Sequence, residues 1–323
     1  MNALNNLLDP AILFFVFGVF AGLVRSNLEI PTAIARFLSL YLLMSVGLKG
    51  GFSLVHTGFG PDVIAGLLAA MALALLVPML GYAMLKRLLP RLDAAAVAAT
   101  YGSVSATTFI AATQYLSGQH IAYGGHMSVA LVLMESPAAI MAVGLASWVR
   151  KQSGAQVQPE LTMRHVLKEA FTDGAHLMLM GSLIIGMLTG DQGKAMMEPF
   201  SGALFKGMLA LFLLDMGLLV ARQLPGLKQV PPLLMAYAVA GPLLHAAIAV
   251  GLARALGLSM GDAALLAVLA GSSSYIVVPA VLRHAIPEAN PGLYLGMSLA
   301  VTFVFNILFG IPLYTSAVQW VWG

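Results

Sequence analysis

The chain has 323 residues, 60% of them hydrophobic and only 9% charged, with a net charge of +3 and no cysteine. A water-soluble domain carries about 25% charged residues, so this composition excludes a soluble fold and places the chain in a bilayer. The missing thiols exclude a disulfide framework, a thiolate metal site and a cysteine nucleophile, and Lys and Arg are too scattered for a nucleic-acid surface.

Residues 1–10 lack a basic n-region, and no small-residue cleavage site follows the first apolar run, so no cleavable signal peptide is expected. Apolar runs near the roughly 20 residues needed to span hydrocarbon predict ten helices, at 10–24, 33–48, 61–85, 94–113, 122–149, 174–190, 200–221, 230–253, 262–283 and 291–319. The longest polar connection, 150–173, separates five spans from five, and its later part reads as an amphipathic interfacial helix. Connections that share one side of this arrangement hold twelve of the 16 Lys and Arg. By the bias of Lys and Arg toward the cytoplasm, both termini are expected to be extracytoplasmic, in a plasma (inner) membrane. An odd number of spans per half turns the second half upside down. The expected fold is an all-α membrane protein of ten transmembrane helices: a first five-helix repeat at 1–149, a cytoplasmic linker at 150–173 and a second, inverted five-helix repeat at 174–323.

The fourth and ninth spans carry the strongest internal match. Asp93-Ala-Ala-Ala-Val-Ala-Ala-Thr-Tyr-Gly102-Ser103-Val104-Ser105 returns 169 positions later as Asp262-Ala-Ala-Leu-Leu-Ala-Val-Leu-Ala-Gly271-Ser272-Ser273-Ser274. Weaker matches accompany it: Gly18 and Gly22 with Gly186 and Gly190, Gly47 with Gly217, and internal prolines Pro78 and Pro242. Small polar residues that interrupt apolar runs at matching places in two halves point to crossing discontinuous helices around a mid-membrane transport site.

A break inside hydrocarbon frees backbone groups that must find partners, and the N-terminal end of a half-helix offers N–H groups with about half a positive charge to an anion. Gly102, Ser103, Val104 and Ser105, with Gly271, Ser272, Ser273 and Ser274, are therefore the candidate anion-binding residues. No Arg or Lys lies in these spans, which favours a small, weakly held oxyanion. The competing reading is that small residues only let two helices pack closely. Ser103→Ala and Ser272→Ala are expected to weaken anion uptake and to leave assembly intact.

Glu135 sits deep in the fifth span, and its place in the second half is taken by Asn306. Ionisable groups inside a membrane are costly and usually functional. Oxygen donors Ser105, Thr107, Thr108, Glu135, Ser274, Thr302 and Asn306, with Ser136 beside them, would suit Na⁺. The alternative is a protonated Glu135 bonded to a carbonyl freed by a break. His126 and His245 are expected to be structural hydrogen-bonding groups, and Asp215 fits packing or function equally. The 19 methionines are read as gap-fillers rather than a metal path. An anion entering a cell against an inside-negative potential climbs about 2.3 kcal/mol per charge per 100 mV, which one co-transported cation would cancel. A serine-hydrolase reading requires one activated serine, whereas the motif here is duplicated, so no enzyme is expected.

Leu8-Asp9-Pro10, Ile30-Pro31, Lys49-Gly50-Gly51, the two serine clusters, Leu282-Arg283, and Ile286-Pro287-x-Ala-Asn290-Pro291-x-x-Tyr294-x-Gly296 followed by Ser298 run over nearly the whole chain. In these it resembles the sodium-dependent bicarbonate transporter family of SbtA-like permeases. The resemblance implies a homotrimer, a gate domain moving against a core domain, and bicarbonate with Na⁺ near the two crossings, in sodium-coupled uptake by alternating access. The alternative is a sodium- or proton-coupled carrier of another small carboxylate. Two segments depart from the cyanobacterial pattern: Tyr275-Ile-Val-Val-Pro279-Ala280, and Met134-Glu135-Ser136-Pro137, where that pattern has an Asp. The short linker gives no basis for a PII-like regulator.

Overall fold

The computed structural model describes residues 6–152 and 173–323. Most of the 150–173 linker, with its expected interfacial helix, lies outside the described residues, as does the side chain of Ser136. The described chain is built of helices with no strand among them.

Prolines and short polar caps decide where the helices start. In α1 (Pro10–Leu23) the Asp9 carboxylate accepts the Ala11 N–H, and Pro10 occupies the first turn, where no intrahelical N–H is needed. α2 (Thr32–Thr57) follows Pro31 and stops at Gly58, whose φ of 65° favours glycine. α3 (Pro61–Leu85) carries Pro78 inside it. One apolar run is then cut at Ser103–Ser105 into α4 (Arg91–Gly102) and α5 (Ala106–Gly118), followed by α6 (His126–Gln152).

Further helices follow from residue 174 onward. α7 (Gly174–Met197) is capped by Asp173, α8 is Phe205–Gln223, and α9 (Pro232–Ala255) contains Pro242. A second run is cut at 271–276 into α10 (Met260–Ala270) and α11 (Val277–Ala285). α12 (Pro291–Leu295) passes through wider π turns at Gly296–Phe303 and Asn306–Gly310 into α13 (Ile311–Trp322). Among the described residues, seven helical stretches are long and apolar enough to cross a membrane, one of them being Arg91–Gly118 taken across its cut, and shorter apolar helices accompany them.

Packing divides the helices into two groups. α1 lies along α8, α2 lies along α7, and α2 also touches α8. Glycines permit the approach: a Cβ on Gly217 would fall 3.0 Å from the Gly18 Cα, and one on Gly186 would fall 3.1 Å from the Gly51 Cα. The second group contains α3 to α6 and α9 to α13, with α3 against α4 and α6, and α9 against α10. At its centre are the two cut runs. Ala94 through Ala99 on α4, and Leu265 through Ala270 on α10, are buried all round, as expected of helices apolar on every face and enclosed by protein. Phe17, Phe20, Leu188 and Trp320 point outward and are more than half exposed or nearly so, a surface suited to lipid tails.

Candidate functional site

Both cuts leave short extended segments that hold each other. At the first, Ser103 (φ −92°, ψ 179°) and Ser105 (φ −107°, ψ 110°) leave the helical region. The Ser105 N–H donates to Ser272 Oγ at 3.0 Å, and Ser272 Oγ donates to Leu269 O at 2.8 Å. In the other direction, the Ser274 N–H donates to Thr100 O at 2.8 Å. Each break thus repairs part of the backbone freed by the other, which is what permits such breaks inside an apolar interior. Asn306 completes the repair: its Nδ2 donates to Gly271 O at 2.8 Å while its Oδ1 accepts from Tyr314 OH at 2.8 Å.

Glycine is required at the first cut because a Cβ on Gly102 would lie 2.6 Å from Cγ of Pro78. Proline 78 in α3 therefore packs directly on the break. A Cβ on Gly271 would meet the Tyr314 ring at 3.0 Å.

The half-helices that restart after the cuts present their N-terminal turns to one cavity of about 150 Å³. Ala106 and Thr107 of α5 line it, and so do Ile276 and Val277 at the start of α11. The first turn of a helix leaves four N–H groups without intrahelical acceptors. Ser105 Oγ takes that of Thr108 at 3.2 Å, and Ser274 Oγ takes that of Val278 at 3.3 Å. Ser105 Oγ also accepts from Thr108 Oγ1 at 2.9 Å, and its hydroxyl lies beside the Tyr275 oxygen. Two positive helix ends and hydroxyls from Ser105, Thr107 and Ser274 therefore converge on this space. The Tyr275 OH donates to Thr107 Oγ1 at 2.6 Å and fixes that side chain.

Glu135 of α6, 5% exposed, lines the same cavity. Against its Oε2 stands Nε2 of His176, from the first turn of α7. Asp173 sets the position of that turn by accepting the N–H groups of Ala175 and His176 at 2.9 and 3.2 Å. Sequence reasoning missed His176. Its partner is 41 positions earlier in the chain, on another helix, and only the Asp173-x-x-His176 helix start hinted at an ordered position.

The residues singled out in the sequence separate into four places. Val104, Ser105, Thr107, Glu135 and Ser274 share the cavity. Thr108 stands behind it, bonded to Ser105. Thr302 and Asn306 do not join Glu135: Thr302 accepts from Tyr101 OH and donates to Ala238 O, both at 2.6 Å, and Asn306 spends its amide on Gly271 and Tyr314. These bonds tie both side chains into the fold around the breaks. Gly102, Ser103, Gly271, Ser272 and Ser273 form the crossing itself. Among the described residues, Ser103 Oγ is buried there without a hydrogen-bond partner, and Ser298 Oγ is buried likewise.

Among the described residues, neither ring nitrogen of His245 nor of His126 has a hydrogen-bond partner. His126 Nε2 stands 3.9 Å from Asp262 Oδ2, and its ring fills the place that a Cβ on Gly124 would need. His245 packs among Tyr101 and Tyr237, with ring centroids 6.5 Å from each.

With this geometry in place, the chain was compared with known proteins. No curated protein matches it. A family model, that of the Na⁺-dependent bicarbonate transporter superfamily, matches residues 10–319.

Proposed function

The chain belongs to the Na⁺-dependent bicarbonate transporter superfamily, a family of transporters rather than enzymes, and from that premise we propose that it takes up bicarbonate together with sodium across the plasma membrane by alternating access. The observation that carries this reading is the shared cavity. Two half-helix N-termini and the hydroxyls of Ser105, Thr107 and Ser274 supply donors for a small oxyanion, and the Glu135 carboxylate adjoins them as an oxygen ligand for a hard cation.

The size of the cavity supports a small solute. A space of about 150 Å³ is comparable to one that holds a single benzene-sized molecule, so a four-heavy-atom anion fits with room left beside it for an ion or a water. Charge supports the pairing. Bicarbonate entry against the membrane potential costs about 2.3 kcal/mol per 100 mV, and one sodium ion moving with it offsets that cost. The architecture proposed for this work is ten spans in two inverted five-helix repeats, 1–149 and 174–323, joined by a cytoplasmic linker, with extracytoplasmic termini and a homotrimeric assembly. Matching features in the two halves support the repeat: a cut run, a proline-bearing helix before it, and paired glycines on the first two helices.

Labelled bicarbonate uptake into proteoliposomes tests the reading. An inward sodium gradient is expected to drive accumulation, and Glu135→Gln to alter chiefly the sodium dependence. Uptake that persists unchanged when choline replaces sodium at constant pH would overturn sodium coupling. Full competition by acetate or pyruvate would reassign the substrate to the small carboxylates.

A further inference from the structure

Glu135 and His176 belong to different helix groups. α6, which carries Glu135, packs with the cut helices, whereas α7, which carries His176, packs along α2; the two helices otherwise touch only briefly. Among the described residues lining the cavity, the charged or imidazole-bearing ones are Glu135, His176 and Asp173. Asp173 Oδ1 accepts from the backbone of its own helix start and stands 3.9 Å from His176 Nδ1. The imidazole of His176 is 8% exposed and stands directly on Glu135 Oε2, the atom that the proposed function gives to sodium.

We propose that His176 is a tethered competitor of sodium: it holds the Glu135 carboxylate in this arrangement of the two helix groups, and sodium must displace it to bind. This rests on the sodium-coupled reading above and extends it. A hard cation requires the oxygen lone pairs that face the imidazole nitrogen, so the ion and the ring exclude one another at Oε2. Since one partner sits on each helix group, exchanging the ring for the ion also removes a tie between the groups. Ion binding is thereby linked to their relative movement, and such a linkage is reciprocal. His176 is on this account a positioning residue that sets sodium affinity rather than a sodium ligand.

The experiment measures sodium binding without substrate, as the sodium concentration giving half-maximal thermal stabilisation of purified full-length protein, with potassium or choline holding ionic strength constant. Allosteric couplings commonly amount to about 5- to 150-fold in affinity. His176→Gln, which removes the imidazole, is expected to lower the half-maximal sodium concentration at least about fivefold. His176→Lys, which places a permanent ammonium against the carboxylate, is expected to raise it by a similar factor. A residue needed only for packing would shift both variants in one direction, and that result overturns the proposal, as does an unchanged sodium response in both. Should the Gln variant fail to fold, His176→Asn replaces it with the same expected outcome, and should the Lys variant fail, His176→Arg replaces it with the outcome expected for Lys. Failure of the underlying reading looks different: wild-type protein that sodium does not stabilise, with bicarbonate uptake indifferent to sodium, removes both.

Discussion

Ser103 and Ser272 occupy matching positions in the two cuts yet have different surroundings. Ser272 Oγ accepts from the Ser105 N–H and donates to Leu269 O, whereas Ser103 Oγ is buried with no partner among the described residues. Removing the Ser272 hydroxyl therefore leaves the buried Ser105 N–H unsatisfied, at about 1–3 kcal/mol, while Leu269 O keeps the Ser272 N–H at 3.2 Å. Ser272→Ala is expected to lower thermal stability as well as uptake, and Ser103→Ala to lower uptake with stability nearly intact, measured by thermal unfolding of purified protein beside transport. Both substitutions are expected to leave assembly intact. Two identical letters 169 positions apart could not show which hydroxyl the fold consumes.

A helix cut inside an apolar interior has to be finished by something other than water. For α10 that role falls to Asn306, standing in the π-turn region between α12 and α13. Asn306→Ala frees Gly271 O and Tyr314 OH together and is expected to cost on the order of 2–4 kcal/mol, by the same buried-group penalty. The sodium concentration for half-maximal uptake by the surviving protein should stay at the wild-type value. A changed sodium dependence with normal stability would return Asn306 to the ion site. The presence of the cuts was legible from Gly-Ser-x-Ser within apolar runs, and Pro78 and Pro242 were legible as interruptions. The role of Asn306 was not, because a polar residue in an apolar span reads the same whether it serves an ion or a loose carbonyl.

Across the whole molecule, the end of α6 is tied to the 286–290 connection by Arg150, which donates to both Glu288 carboxylate oxygens at 3.2 and 2.7 Å, and nearby the Asn290 N–H donates to Asp93 Oδ1 at 2.8 Å. The hydrogen bonds from Arg150 hold the Glu288 carboxyl below its ordinary value. A depressed folded-state value stabilises the fold above the unfolded carboxyl's titration near about pH 4.3, and this contribution disappears as pH falls through the folded value. Wild type is therefore expected to exceed Glu288→Gln in thermal stability at pH 7 and to match it once the pH has passed below the carboxylate range. Half of the Glu288 side chain is exposed, so the difference at pH 7 should stay within about 1 kcal/mol. A gap that persists in acid would assign the effect to something other than this pair.

Composition by itself determined that the chain lives in a bilayer, because so few charges cannot clothe a soluble surface, and the lengths of its apolar runs set the helices. The duplicated serine clusters marked where those runs fail, because small polar residues cannot continue an apolar span without losing backbone partners. Only the tertiary structure decided which groups meet at the failures. It turned both restarted helices toward one cavity, withdrew Thr302 and Asn306 from it, and brought His176 to Glu135. Contacts between distant segments depend on how helices cross and on which face each presents, and neither quantity is written in local spacing.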